Sequence, residues 1–134
     1  MIIKKNKLEQ IVKHSRREYP RESCGILAGK EEKIEKIYQM ENISDNPATC
    51  YFMDPKEQLK VFKEMRNLGL EMVGIYHSHL DTEAYPSAHD VELAYYPDAS
   101  YVIASIKDKE NPSIRSFRIV NGEITEEEIE LADS

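Results

Sequence analysis

The chain has 134 residues, with 18 Lys and Arg against 25 Asp and Glu, a formal net charge of −7, and 40% hydrophobic residues. This length fits one domain over residues 1–134 and excludes a TIM barrel, which needs about 250 residues. No segment approaches the roughly 20 apolar residues of a membrane helix, and the N-terminus lacks the apolar core of a signal peptide. The acidic balance argues against nucleic acid as a partner. With two cysteines and no disulfide framework, we expect a cytoplasmic protein with no membrane partner.

The first part of the chain predicts one helix followed by strands. Leu8, Ile11 and Val12 recur at helical spacing, and Pro20 ends that helix. Short apolar segments with Gly or with alternating Ile and charged residues predict the strands that follow. The predicted elements are a helix over 5–19, strands over 23–29 and 33–40, a turn over 42–47 and a brief β-prone run over 49–54.

The second part predicts a further helix and then a series of strands. Asp54 is the expected N-cap of a helix with Pro55 at its first position, and Gly69 suits its C-terminus. Asn121-Gly122 is a strong hairpin signal, so 123–131 is predicted as a last strand, with a helix as the alternative. The remaining predictions are strands over 71–79, 100–106 and 114–120, a loop over 80–86 and a helix over 87–96. This mixture indicates an α/β or α+β fold around one sheet.

Two of the four histidines, His77 and His79, flank Ser78 at the end of the strongest predicted strand. Side chains alternate across a strand, so both imidazoles must project from one face. Burying two imidazoles is costly without partners, and a divalent metal would satisfy both nitrogens. A pair of exposed or hydrogen-bonded histidines is the equally plain alternative.

Ser87 and Asp90 follow the histidines after seven further residues. Ser-x-x-Asp is a capping-box pattern, which accounts for both residues without any metal. Positions three apart also share one helix face, so Asp90 could join the two histidines. Two imidazoles and one carboxylate are three protein ligands, and three ligands with one open position are typical of catalytic zinc sites.

The pattern His77-Ser78-His79, seven residues, Ser87, two residues, Asp90 resembles the signature of the JAMM (MPN+) zinc metalloproteases. The segment 20–29, PRESCGILAG, is similar to the family's other landmark, a glutamate (here Glu22) shortly before Cys-Gly and an apolar strand. Leu80 stands where members usually carry Pro, which changes no ligand. The resemblance covers nearly the whole chain and implies one JAMM/MPN domain over 1–134, with a central mixed or antiparallel sheet flanked by helices, as in cytidine deaminases.

The resemblance also implies the chemistry of the site. His77, His79 and Asp90 would hold one Zn²⁺ per chain, and zinc lowers the pKa of a bound water from 15.7 to about 7. Glu22 would act as general base and then general acid. Ser87 would donate to the oxyanion of the tetrahedral intermediate.

Other conspicuous residues have simpler interpretations. Cys24 lies in an apolar strand and is expected to be a small buried hydrophobe, with a nucleophile or a fourth zinc ligand as the alternatives. His89 should face away from the metal because helix neighbours point about 100° apart. His14 is expected to be solvated, and Tyr95 and Tyr96 are expected to pack at a helix end.

The resemblance implies an isopeptidase-type hydrolase. Deaminase and zincin motifs are absent from the sequence, and a non-catalytic MPN scaffold is the alternative, although such modules typically lack one of the five site residues. The short stand-alone form resembles enzymes that process ubiquitin-like sulfur carriers, either releasing cysteine from the carrier or detaching it from lysine. We expect an extended Gly-Gly tail as substrate, bound by pairing with an exposed edge strand near the site.

Overall fold

A computed structural model describes residues 1–132 and shows one eight-stranded mixed sheet with helices on both faces. The helices are α1 (Lys5–Glu18), α2 (Pro55–Asn67) and α3 (Ala88–Glu92). The strands are β1 (Ile2–Lys4), β2 (Cys24–Lys30), β3 (Lys33–Met40), β4 (Glu71–His79), β5 (Ser100–Ser105), β6 (Ser113–Val120), β7 (Glu123–Glu127) and β8 (Glu130–Ala132). Over these residues no helix combines the length and apolarity that crossing a membrane requires. The predicted fold class is confirmed.

The helix boundaries follow local signals in the sequence. The Asp54 side chain accepts the backbone N–H of Lys56 at 2.9 Å, and Pro55 occupies the first turn of α2, as predicted. Past the end of α2, Gly69 adopts φ +70°, a left-handed conformation that favours glycine. The first helix ends at Glu18, just before Pro20, because proline disfavours a helical residue before it.

Strand β4 lies in the interior of the sheet. The strand order is β7-β6-β5-β4-β2-β3-β1-β8, with β4 antiparallel to β2 and parallel to β5. Among residues 1–132, the edges of the sheet are β7 and β8, three and four strands away from β4. The expectation that an edge strand of the sheet lies beside the histidines is therefore wrong, because both neighbours of β4 are already paired.

The two faces of the sheet carry separate cores. On one face α2 packs over β-strand residues such as Ile26, Ile75 and Ile103. On the other face Ile11 of α1 packs with Leu27 and other strand residues. Alternation along each strand assigns neighbouring residues to opposite cores, which is why β2 and β4 are buried along almost their whole lengths.

Three predicted elements differ in the structure. The run 49–54 forms no regular strand; its Phe52 carbonyl accepts one hydrogen bond from the Ile43 N–H, at 2.9 Å, outside any ladder. The predicted helix over 87–96 spans only Ala88–Glu92. The segment 123–131 contains two strands: β7 completes the hairpin with β6, whereas β8 pairs with β1 at the opposite edge. Strand β1 was not predicted, since three residues before a helix carry no periodicity of their own.

Candidate metal centre

The carboxyl end of β4 brings His77 and His79 together. Both side chains are buried, and their Nε2 atoms lie 3.1 Å apart. The Nδ1 atom of His79 lies 2.8 Å from the carbonyl oxygen of Glu83, in the loop that follows the strand. A carbonyl can only accept a hydrogen bond, so Nδ1 donates and the Nε2 atom of a neutral His79 presents a lone pair.

The short helix α3 adds Asp90 to the two histidines. Its Oδ2 atom lies 3.2 Å from His77 Nε2 and 3.0 Å from His79 Nε2. The orientation of α3 is fixed by Ser87, whose side chain accepts the Asp90 N–H at 3.1 Å while its own N–H donates to Asp90 Oδ2 at 2.9 Å. The capping-box interpretation of these two residues is thus confirmed, and the same box aims the carboxylate at the histidines.

The geometry of these three side chains fits a small divalent metal ion. Within residues 1–132, His77, His79 and Asp90 are the potential metal ligands whose donor atoms converge, and each side chain contributes one atom. The three separations of 3.0–3.2 Å are close to the edge of a tetrahedron with zinc bonds of about 2.0–2.1 Å, roughly 3.3 Å. The lone pair of His79 Nε2 faces a carboxylate oxygen, an arrangement that is repulsive unless a cation or a proton lies between them.

The charges of this cluster stabilise one another. Burial alone would raise the pKa of Asp90, but hydrogen bonds with His77 and His79 hold that pKa well below its usual range. Burial lowers the pKa of His79, and the hydrogen bonds with Asp90 and with the Glu83 carbonyl outweigh it, so the net shift is upward. A carboxylate that stays ionised suits a metal ligand.

Glu22 lies just before β2, beside the end of β4. Cys24 pairs with His77 in the antiparallel ladder, so extending the register places Glu22 next to His79 on the same face. Its side chain is 4% exposed, and its Oε1 atom has no hydrogen-bond partner among the described residues. Burial raises the pKa of Glu22 to about 8, the His79 charge opposes that shift and the Asp90 charge adds to it. Glu22 is therefore not a solvated surface charge, which would be the simplest interpretation of a glutamate taken alone.

Sequence reasoning missed Asn42, which holds the backbone around Glu22. Its side-chain amide donates to the carbonyl oxygens of Glu22 and Cys50, each at 3.0 Å, and its Oδ1 accepts the N–H groups of Ser44 and Phe52. Asn42 is 2% exposed and lies in a segment predicted only as a turn. The turn composition gave no signal of a buried amide, because asparagine is equally common in solvated turns.

The loop that Asn42 organises carries Tyr51 to the metal centre. The Tyr51 ring stacks on the His77 imidazole, with centroids 4.6 Å apart and planes at 24°. This contact shields one side of His77 from solvent. The β-prone run of the sequence is therefore a wall of the site, and β-propensity alone could not show that.

The remaining conspicuous residues divide into confirmed and wrong predictions. Cys24 is fully buried, and burial raises the pKa of its thiol to about 12, as suits a small hydrophobe. His89 is exposed. The prediction that His14 is solvated is wrong, because the residue is 3% exposed and its Nδ1 lies 2.7 Å from the Tyr76 hydroxyl. The prediction that Tyr95 packs at a helix end is also wrong.

Tyr95 and its neighbour Tyr96 lie beyond the early end of α3. They are 72% and 36% exposed, respectively. The backbone N–H of Tyr96 donates to the Tyr101 hydroxyl at 3.0 Å. Because the helix stops at Glu92, these rings have no further helical turn to pack against.

Comparison with known proteins gives one family and several relatives. A model of the family described as prokaryotic homologs of the JAB domain matches residues 4–120. The chain is similar to a CysO-cysteine peptidase of Mycobacterium tuberculosis, with 43% identity over 99% of this chain and 92% of the relative. It is also similar to a probable TtuB-protein conjugate cleaving protease of Thermus thermophilus, with 34% identity over 87% of this chain and 74% of that protein.

Solved structures agree in fold. The solution structure of protein DSY2949 from Desulfitobacterium hafniense superposes with a TM-score of 0.90 at 38% identity, covering 100% of this chain and 94% of that one. A JAB1/MPN domain protein from Archaeoglobus fulgidus superposes with a TM-score of 0.69 at 21% identity, covering 99% and 100% of the two chains. At that identity the second likeness concerns the fold alone.

Proposed function

The chain belongs to the prokaryotic homologs of the JAB domain, and from that premise we propose that it uses zinc to hydrolyse an amide or isopeptide bond at the C-terminus of a ubiquitin-like sulfur-carrier protein. The predicted JAMM/MPN family and the hydrolase activity are confirmed by the family match and the named peptidase relatives. Residues 1–134 are proposed to form a single JAMM/MPN domain.

The observation that carries the proposal is the buried Glu22 Oε1 atom, which has no hydrogen-bond partner within residues 1–132 and lies beside three converging ligand atoms. His77, His79 and Asp90 would hold Zn²⁺, one ion per chain, and their separations fit that ion. When bound, zinc polarises the scissile carbonyl and lowers the pKa of a bound water to about 7. A non-catalytic scaffold would have no use for a buried Glu22 oxygen that lacks a partner among the described residues.

The protein side chains divide the proton transfers among them. Glu22 is proposed to take a proton from the attacking water and to deliver it to the departing amine, as general base and then general acid. Burial raises the pKa of Glu22 to about 8 in the metal-free site, and a divalent cation held by the neighbouring ligands would lower that pKa, which favours the ionised form that a general base needs. The Ser87 hydroxyl is proposed to donate a hydrogen bond to the oxyanion, and the exposure of Ser87 leaves this hydroxyl within reach of a substrate.

The substrate proposal follows the relatives. One is named as a CysO-cysteine peptidase and another as a probable TtuB-protein conjugate cleaving protease, so a carrier–cysteine adduct and a carrier–protein conjugate are both candidate substrates. A Gly-Gly tail would suit the site because glycines carry no side chain that could clash with the Tyr51 wall. The cellular location proposed from the sequence is the cytoplasm.

The test uses carrier adducts of known mass. We would incubate the zinc-loaded protein with a Gly-Gly-tailed carrier bearing a C-terminal cysteine or a lysine-linked peptide, and follow the mass loss. We expect cleavage of at least one adduct, at least about 100-fold slower cleavage by Glu22→Gln, and little activity on casein. Cleavage of an Ala-Ala-tailed carrier at the same rate, or faster cleavage of casein, would contradict the proposed specificity. Zinc binding without any cleavage would favour the scaffold.

A further inference from the structure

The main chain that carries Glu22 lies just outside strand β2, which begins at Cys24. The backbone N–H of Glu22 donates to the Pro47 carbonyl oxygen at 2.6 Å. The Glu22 carbonyl oxygen accepts a hydrogen bond from the Asn42 side-chain amide at 3.0 Å. Pro47 and Asn42 both belong to the loop over 41–54, between β3 and α2. This loop therefore holds both backbone polar groups of Glu22.

The next residue, Ser23, is held by strand β4. Its N–H donates to the Ser78 hydroxyl at 2.8 Å, and its carbonyl oxygen accepts the Ser78 N–H at 3.1 Å. Because β2 lies between β4 and β3 in the sheet, the main chain around Glu22 is anchored to β4 on one side and to the loop after β3 on the other. Ser78 lies between His77 and His79 in the sequence, so the first anchor ties this main chain to the proposed metal ligands.

The carboxyl end of Glu22 has no comparable anchor. The residue is 4% exposed, and its Oε1 atom has no hydrogen-bond partner within residues 1–132. The position of that oxygen therefore depends on packing and on the main chain that carries the side chain. A general base must lie within roughly 2.6–3.2 Å of the group whose proton it takes, and a displacement of about 1 Å can slow a reaction on the order of 10²-fold. Proton transfer by Glu22 thus depends on how its main chain is held.

Asn42 is the side chain on which the loop anchor depends. Its Nδ2 group donates to the carbonyl oxygens of Glu22 and Cys50, each at 3.0 Å, and makes a longer contact of 3.4 Å with the Pro47 carbonyl oxygen. Its Oδ1 atom accepts two backbone N–H groups of the same loop. A side-chain amide supplies two donors and an acceptor oxygen with two lone pairs, whereas an ionised aspartate supplies no donor and a serine only one. Asparagine therefore matches all of these partners at once.

We propose that Asn42 is a positioning residue, which holds the Glu22 carboxyl group at its working distance from the metal centre. This inference rests on the proposed function and adds to it a buried residue that acts through Glu22. The Ser78 anchor fixes only the Ser23 end of this main chain. The Asn42 amide fixes the Glu22 carbonyl itself, so the two anchors together determine the direction in which the side chain leaves the backbone.

The experiment is a double-mutant cycle on zinc-loaded protein with a Gly-Gly-tailed carrier that ends in cysteine. Asn42→Ala should lower kcat roughly 10-fold to 10²-fold with zinc content unchanged. In the Glu22→Gln background the same change should lower kcat little further, because residues that act as a unit are not additive. Asn46→Ala is the matched control, since this asparagine lies in the same loop with an exposed side chain, and it should cleave at the wild-type rate.

The thiol of Cys50 gives a readout that does not depend on activity. Asn42 donates to the Cys50 carbonyl, and Cys50 is half-buried, whereas the other cysteine, Cys24, is fully buried. Loss of the Asn42 hydrogen bonds should open the loop more often. A thiol reagent should then label Cys50 up to about tenfold faster in Asn42→Ala, the factor that corresponds to one hydrogen bond. Unchanged labelling would show that Asn42 does not anchor the loop and would overturn the proposal.

Asn42→Asp tests the same role even if Asn42→Ala weakens folding. Aspartate keeps the shape of the side chain and its acceptor oxygen but, when ionised, offers no donor to Glu22, so it should reproduce both the loss in kcat and the non-additivity. An equal loss of kcat in the wild-type and Glu22→Gln backgrounds would overturn the positioning role while leaving the proposed hydrolase intact. Wild-type protein that cleaves no carrier adduct would refute the proposed function, and the role of Asn42 with it.

Discussion

Polar residues of β4 alternate between the two faces of the strand. Comparing the two faces distinguishes polar residues that stabilise the fold from those proposed to act in the site. On the α1 face, Tyr76 bonds with His14 at 2.7 Å, and the Ser78 hydroxyl accepts the Ser23 N–H at 2.8 Å. On the α2 face, His77 and His79 converge with Asp90. Both faces are buried, yet only on the α2 face do Glu22 Oε1 and His77 Nδ1 remain without partners among the described residues.

The difference shows how a buried polar group signals function. A buried polar group costs free energy unless it is hydrogen-bonded. The α1 face meets that requirement internally, so its polar residues need only be structural. The α2 face leaves Glu22 Oε1, Tyr38 Oη and His77 Nδ1 without partners among the described residues, and three potential ligand atoms converge there within 3.2 Å of one another. We propose a metal ion as the partner of the converging atoms and a substrate as the partner of Glu22. Each of the following variants tests that division.

The largest effect is expected from the proposed ligands. Replacing His77, His79 or Asp90 by Ala should abolish both zinc binding and activity, and lower stability, because a metal that binds only the folded state stabilises it. Elemental analysis of purified protein should give about one zinc per chain for wild-type protein. Stoichiometric zinc in all three variants would refute the ligand assignment.

Glu22→Gln should separate metal binding from chemistry. The amide retains the shape of the side chain but cannot carry the proton, so kcat should fall roughly 10²–10⁴-fold with zinc content unchanged. Glu9→Gln, on the exposed side of α1, is the control and should cleave at the wild-type rate. Near-full activity of Glu22→Gln would mean that another residue is the base.

Ser87→Ala should lower kcat on the order of 10²–10³-fold, the usual effect of removing one oxyanion donor. The same hydroxyl caps α3, so zinc content must be measured alongside the rate. Ser87→Thr keeps a hydroxyl and should retain most of the activity. If Ser87→Ala loses zinc in proportion to activity, the residue acts only by orienting Asp90.

Tyr76→Phe tests the other face of β4. Removing the hydroxyl leaves the buried His14 Nδ1 without its partner, which should lower the free energy of unfolding by about 1–3 kcal/mol. Denaturant titration would measure that loss. Zinc content and kcat should match wild type, and a large fall in kcat would show that the two faces are coupled.

The smallest effect concerns pH and His14. Burial lowers the pKa of His14 below its ordinary value of 6.5, and the nearby Arg17 charge adds to that shift. Below pH 6.5 the unfolded chain therefore binds a proton that the folded chain does not, so stability should fall as pH decreases. Denaturant titrations of zinc-free protein between about pH 7.5 and pH 5.5 bracket the ordinary pKa of histidine. The free energy of unfolding should fall less over this range for His14→Gln than for wild-type protein. An identical slope would contradict the prediction.

The sequence by itself determined the elements that depend on neighbouring residues. Asp54-Pro55 sets the start of α2, Asn121-Gly122 makes a hairpin, and the spacing of His77 and His79 puts both on one face. These features depend on local backbone geometry and on the two-residue period of a strand, so they can be predicted from short segments. The family motif added Glu22, Ser87 and Asp90, whose roles stay predictions.

Only the tertiary structure decided which polar residues are buried and with whom. Asn42, in a turn-like segment, and His14, in a helix with many charges, carry no local mark of burial, yet each bonds with residues distant in sequence. Likewise β8 pairs with β1 across the length of the chain. Burial and long-range pairing depend on which elements pack together, and that choice is made by the whole core rather than by any one segment.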